Sequence, residues 1–171
     1  MNIIYQNKVS KPFLEKVVFI SKKLNFDPNW LMAVMNFESA GTFSPKIKNK
    51  FGYVGLIQFG KEAALDLNVT LDKLSKMHEI EQLDYVYRYY LPYKSKIKSY
   101  VDLYLATLFP VSIGKESNYI LQTKKIPAYR VASRNPIFDL NMDQKITVGE
   151  VEKRMILQLP LKWRSVLKKK H

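Results

Sequence analysis

Glu38 is the carboxylate whose place in the chain suggests chemistry. Met35, Val34 and Leu31 precede it by three, four and seven residues, so its side chain follows the apolar stripe of a helix that reads as buried. Desolvation favours the neutral acid, and the negative end of the helix dipole opposes ionisation in the same sense. A carboxylic acid kept protonated near neutral pH can deliver a proton to a leaving oxygen, a glycosidic one included. The plainer alternative is a glutamate that reaches solvent from a helix end.

A second set of oxygen donors lies near the C-terminus. Asp139, Asn141, Asp143, Lys145 through its backbone carbonyl, Thr147 and Glu150 follow the order and spacing of a calcium-binding EF-hand loop, with apolar Ile146 where such loops carry one. Gln144 stands where these loops use glycine for the sharp turn. The alternative needs no Ca2+: the Asp and Asn side chains close Asx turns, while Thr147 and Glu150 form a capping box. Asn135-Pro136 leaves no incoming helix before Asp139, which argues against a helix-opening switch. His78, beside Glu79 and Glu81, has no metal partners in sequence and reads as a cap or surface residue.

The elements that must position these residues are mostly helical. Phe13, Val17, Ile20 and Leu24 fall on one helical face between Pro12 and Asn25, and Asp27-Pro28 supplies a cap and first position for the helix ending at Glu38. From Gly41 to Gly60 the helical period is lost, and glycines alternate with aromatics and lysines. This is a loop or short hairpin, the kind of segment that carries function. Helices are predicted over 61–67, 70–77 with Thr70 as cap, and 79–91, where Leu83, Val86, Tyr87 and Tyr90 share a face and Pro92 ends the run. Two more are predicted over 100–109 and 147–159, with an irregular polar stretch between Gly114 and Pro136. Strand signals are weak outside Tyr53 to Phe59, so the fold class is mainly α.

The chain has 171 residues, 47% of them hydrophobic and 25% charged, which suits one globular domain and excludes disordered or low-complexity classes. We expect a domain over 1–130 with an extension over 131–171 packed on it, acting as a monomer. There are no cysteines, excluding a disulfide framework, a thiolate metal site and a cysteine nucleophile. Lys and Arg number 28 against 15 Asp and Glu, and the net charge of +13 favours polyanionic partners. Nucleic acid is one such partner, but the basic residues are dispersed and match no nucleic-acid motif. The tail, with Lys162, Arg164, Lys168, Lys169 and Lys170 around Trp163, Val166 and Leu167, reads either as a solvated end or as a segment for anionic outer-membrane or cell-wall polymers. No secretory signal or membrane-spanning run is visible.

Glu38-Ser39 and, after it, Gly55-Leu-Ile-Gln58 stand in the order and spacing of two motifs of the soluble lytic transglycosylases. The chain resembles that domain of the lysozyme-like superfamily from Val17 to Pro110, roughly half its length. Its QLDYVYRYYLP and DLYLATLFP segments look most like bacteriophage versions. The resemblance implies a lysozyme-like helical fold with at most a small β-hairpin, requiring no catalytic cofactor. It implies cleavage of peptidoglycan between N-acetylmuramic acid and N-acetylglucosamine. Glu38 would be the general acid, and then the base toward the muramoyl 6-hydroxyl, giving a 1,6-anhydro product. Ser39 would help position substrate and Gln58 would reach the sugar or its acetamido group, an amide offering both a donor and an acceptor. A phage endolysin or virion-associated lysin is implied, made in the host cytoplasm and acting on the wall.

The family's Ala-Tyr-Asn is replaced here by Ala106-Thr-Leu, and Tyr104 is the hydroxyl nearest in sequence. Hydrolysis would call for a second carboxylate, with Glu62, Asp66, Asp84 and Asp102 as the choices. Tyr53 and Phe59, with Phe43 and Phe51, are expected to line a glycan groove, some of them instead closing the core. A non-catalytic wall-binding module on the same scaffold is the remaining alternative.

Overall fold

The computed structural model describes residues 2 to 168, so Lys169 and Lys170 of the basic tail lie outside the described residues. The chain forms two compact units that divide between Ser95 and Lys96, whereas the sequence reading places its boundary after residue 130. Both units are helical, and isolated bridges are the only extended pairings among the described residues.

In the first unit α1 (Lys11–Leu24) opens with Ser10 accepting the Phe13 N–H, and buries Phe13, Val17, Ile20 and Leu24 on the predicted face. Each such side chain contributes about 1.5–3 kcal/mol of apolar burial. α2 (Pro28–Glu38) starts at the Asp27 cap and buries every residue from Trp30 to Met35. Asn29 fastens this start by accepting the Ile4 N–H and donating to Asp27 Oδ1. Next come α3 (Lys61–Asp66), α4 (Leu71–Lys76) and α5 (Glu79–Tyr90), the last capped by His78. α1 packs against both α2 and α5. Pro92 does not end α5 abruptly, because residues Leu91–Tyr93 continue as a 3-10 turn.

Between α2 and α3 the predicted hairpin is reduced to bridges pairing Lys48 with Val54 and Val54 with Phe59. What holds this segment is Gln82 of α5, a fully buried amide. Its Oε1 accepts the Leu56 N–H at 2.8 Å, while Nε2 donates to the Pro45 carbonyl at 3.2 Å and the Leu74 carbonyl at 2.8 Å. Gly55 presses against this amide with φ +83°, and a Cβ there would overlap it.

In the second unit α6 (Tyr100–Leu108) is capped by Ser99, and Asp102 is buried rather than solvated. Its carboxylate accepts from the Lys98 and Gly114 N–H groups and the Ser99 hydroxyl, binding the helix start to the turn that follows the helix. α7 (Ala128–Arg134) occupies the stretch predicted to be irregular. It is short and buries only Val131 and Ala132, too little for an amphipathic period to register. α8 (Val148–Leu157) begins with the complete capping box: Thr147 Oγ1 accepts the Glu150 N–H and Glu150 Oε2 accepts the Thr147 N–H. α9 (Leu161–Leu167) covers the start of the basic tail and buries Trp163 and Leu167, leaving Val166 exposed. Among the described residues no helix is long and apolar enough to cross a membrane.

Two substitutions test this account. Gln82→Leu strands three buried backbone groups and should lower unfolding free energy by about 3 kcal/mol or more, measured by urea denaturation. Thr147→Ala removes the cap of α8 and should cost about 1 kcal/mol by the same measurement.

Candidate active site

Glu38 is the last residue of α2 and is half-buried. The helix has to end there because the chain turns at once, with Ala40, Gly41 and Phe43 all at positive φ. Ser39 makes that turn possible from inside. It is fully buried, its hydroxyl donates to the Met35 carbonyl at 2.6 Å, and it accepts the Phe43 N–H at 2.9 Å. The predicted substrate-facing serine is thus placed as the residue that closes the helix carrying Glu38.

Tyr89 of α5 is the residue that sequence reasoning did not single out. It is half-buried, and its phenol is held well above the usual 10.0. Burial is the main cause, followed by the neighbouring Tyr93 and then by the negative fields of Glu38, Tyr53 and Asp66. These side chains therefore share one polar and aromatic neighbourhood in the first unit. The Tyr89 ring meets Phe59 edge-on at 6.0 Å and Tyr90 at 5.2 Å, which fixes its plane. A phenol kept neutral to high pH is a hydrogen-bond donor to nearby carboxylates at every working pH. Its sequence signal was the spacing from Gln82 and Val86, seven and three residues back, which puts it beside the buried face.

The motif turn is equally constrained. Gln58 has φ +54°, and its Nε2 donates to the Gly55 carbonyl at 3.1 Å and, more weakly, to the Ile47 carbonyl at 3.4 Å. Both amide hydrogens are used within the loop, leaving Oε1 as the group able to accept from a ligand. Of the four aromatics expected to line a groove, Phe43 and Phe59 are 4% and 1% exposed and belong to the core. Phe59 is therefore corrected from a groove residue to the floor beneath Tyr89. Phe51 and Tyr53 are exposed on the Gly52 turn, and the Tyr53 ring lies over Gly60, where a Cβ would collide with it. Tyr104 belongs to the second unit and is 2% exposed with its ring 5.5 Å from Phe138, a core position and not a surface one.

The other acids are dispersed. Asp84 pairs with Lys16 at 2.7 Å, Glu62 is exposed, and Asp66, also exposed, is the one that reaches the Tyr89 neighbourhood. In the second unit the 139–150 loop directs its oxygens at its own backbone. Asp139 accepts the Asp143 and Gln144 N–H groups, Asn141 accepts that of Asp143, and Asp143 accepts that of Lys145. Glu150 spends Oε1 on the Leu140 N–H and Oε2 on Thr147. Gln144 takes the left-handed conformation, φ 63°, that glycine would have made inexpensive. Among the described residues no three acidic, histidine or cysteine side chains are grouped to hold a metal. Asp139, Asp143 and Glu150 each make hydrogen bonds within this turn and cap.

No family model, curated protein or solved structure matches this chain.

The raised Tyr89 pKa gives a signed expectation. The folded state holds this proton more tightly than the unfolded chain, so its stabilisation is complete below pH 10.0 and is lost as pH rises beyond it. Denaturation midpoints recorded from pH 9 upward to about 11 should fall less steeply for Tyr89→Phe than for the wild type.

Proposed function

We propose that this protein is a peptidoglycan lytic transglycosylase of phage type on a lysozyme-like fold, cutting the β-1,4 bond between N-acetylmuramic acid and N-acetylglucosamine. The observation that carries the reading is Glu38, held half-buried at the end of a helix whose core is buried, with the neutral phenol of Tyr89 in its field. Glu38 gives its proton to the glycosidic oxygen as the bond from that oxygen to the muramoyl anomeric carbon breaks. The resulting carboxylate then takes the proton of the muramoyl 6-hydroxyl as that oxygen closes on the same carbon. Atoms and protons balance, no water is consumed, and Glu38 ends protonated as it began.

The remaining residues fit supporting parts. Tyr89 donates toward the carboxylate during the interval when it is charged, and Gln58 Oε1 suits the N–H of an acetamido group. The exposed rings of Tyr53 and Phe51 offer faces to sugar rings, while the net charge of +13 favours an anionic wall.

One observation favours a second reading, hydrolysis. Asp66 shares the Tyr89 neighbourhood with Glu38 and would orient the attacking water. Product mass spectrometry separates the two, anhydro-muramoyl ends meaning transglycosylation and reducing ends hydrolysis. Glu38→Gln should lose at least about a hundredfold in the rate of peptidoglycan clearing with its melting temperature retained. Wild-type activity in that variant would dispose of the assignment. Asp66→Asn should stay within about threefold of wild type, whereas a loss of about a hundredfold with reducing-end products would establish the hydrolytic route.

A further inference from the structure

The first unit contains a cavity of about 590 Å³ that does not include Glu38, yet is built on the turn Glu38 begins. One wall is Thr42–Lys46. Thr42 donates its hydroxyl to the Ser39 carbonyl at 2.7 Å, and Phe43 is bonded through its N–H to the Ser39 hydroxyl. Whatever presses on this wall presses on the same hydrogen-bonded turn that ends α2.

The lining divides by chemistry. Phe13, Phe43, Pro45 and Met77 are all buried and form an apolar base, with Phe13 and Phe43 locked edge to face at 6.0 Å. Lys8, Lys46 and Lys76 bring three ammonium groups against the one carboxylate of Glu79. Lys8 is held in place, donating to Asn36 Oδ1 at 3.0 Å and lying over the Tyr5 ring. Its ammonium would stand 3.1 Å from any Cβ at position 41, so Gly41 leaves it room. Lys76 is shared with Asp72 at 2.8 Å, while Lys46 is exposed. An apolar base beneath a net-positive rim selects a ligand with small aliphatic groups and more than one anionic group.

We propose that this cavity is a binding site for a short carboxylate-bearing peptide of small residues, the chemistry of the stem peptide attached to the muramoyl units of peptidoglycan. The proposal rests on the function above for the source of the peptide, though not for the binding itself. Its volume suits two or three residues, the alanine methyls going to the base and the carboxylates to Lys8 and Lys46. Substrate carrying stems would then be held at two places joined by the turn after Glu38, and strands stripped of stems at one.

The test uses the full chain and L-alanyl-γ-D-glutamyl-diaminopimelate as probe, with its carboxamide form and glycerol phosphate as controls. Calorimetry together with amide-shift mapping should show the tripeptide binding, with shifts concentrated at Thr42–Lys46 and Met77. The carboxamide form and glycerol phosphate should bind at least about tenfold more weakly, and Lys8→Gln with Lys46→Glu should weaken the tripeptide by a similar factor. The same double variant should lower the ratio of kcat/KM on stem-bearing strands to that on amidase-stripped strands. Glu38→Gln should bind the tripeptide as the wild type does, and tripeptide binding by a wild-type protein that cleaves no peptidoglycan would leave this proposal standing while the proposed function fails. Absence of tripeptide binding, equal affinity for the carboxamide form, or preference for glycerol phosphate would each overturn the proposal.

Discussion

One buried amide holds the 41–60 segment of the first unit in shape. Gln82 accepts the Leu56 N–H with its oxygen and donates its two hydrogens to the carbonyls of Pro45 and Leu74, and so fastens α5 to α4 and to both arms of the 41–60 loop. The loop's pairing amounts to two bridges, and it contains residues at positive φ, including Gln58, whose side chain makes that conformation costly without compensation. The compensation is local: the Gly55 carbonyl receives both the N–H and the Nε2 of Gln58. Gly55 is needed for two reasons at once, its own φ of +83° and the closeness of the Gln82 amide. A polar group placed inside an apolar helix face thus specifies a loop that hydrophobic burial could not, because burial has no direction and an amide does.

Much of the scaffold was legible in sequence because it is written in local chemistry. The face of α1, the Asp27-Pro28 start of α2, Thr70 at α4 and the Thr147–Glu150 box at α8 each depend on residues within one or two turns of one another. What escaped depends on partners far along the chain. Phe59 and Tyr104 look like aromatics available to a ligand until the elements that cover them are in place. On α5 the sequence puts Tyr87 on the apolar face, but the buried set is Gln82, Leu83, Val86 and Tyr90. A glutamine in that set contradicts any hydropathy scale, and only its three distant backbone partners explain it. Tyr89 was hidden for the same reason, being one tyrosine among several in DYVYRYY until Glu38, Asp66 and Phe59 are brought to it.

Charge behaves differently again. The excess of lysine and arginine is visible in composition, but its arrangement is not. In the structure some cations are spent on the fold: Arg164 bonds the carbonyls of Leu157 and Leu159, Arg88 bonds that of Leu67, and Lys16 pairs with Asp84. Such exposed pairs contribute at most about 1 kcal/mol each, so their presence says little about stability. The tail is partly absorbed as well, since α9 turns Trp163 and Leu167 inward and leaves Leu161 and Val166 as its exposed apolar side chains.

The placement of Glu38 follows from what a helix end can and cannot do. A carboxylate in the middle of α2 would be fully buried among Trp30 to Met35, whereas at the last residue of the helix it is half-buried. The last residue of a buried helix has the rigidity of the core and one open side. Using it requires that the chain leave the helix immediately, which leaves terminal carbonyls in need of donors. At the Met35 carbonyl Ser39 supplies two donors, its backbone N–H and its hydroxyl, and the same hydroxyl receives the Phe43 N–H that starts the next segment. The Glu-Ser pair is therefore a structural unit: the serine caps the helix and bends the chain away directly after the acid.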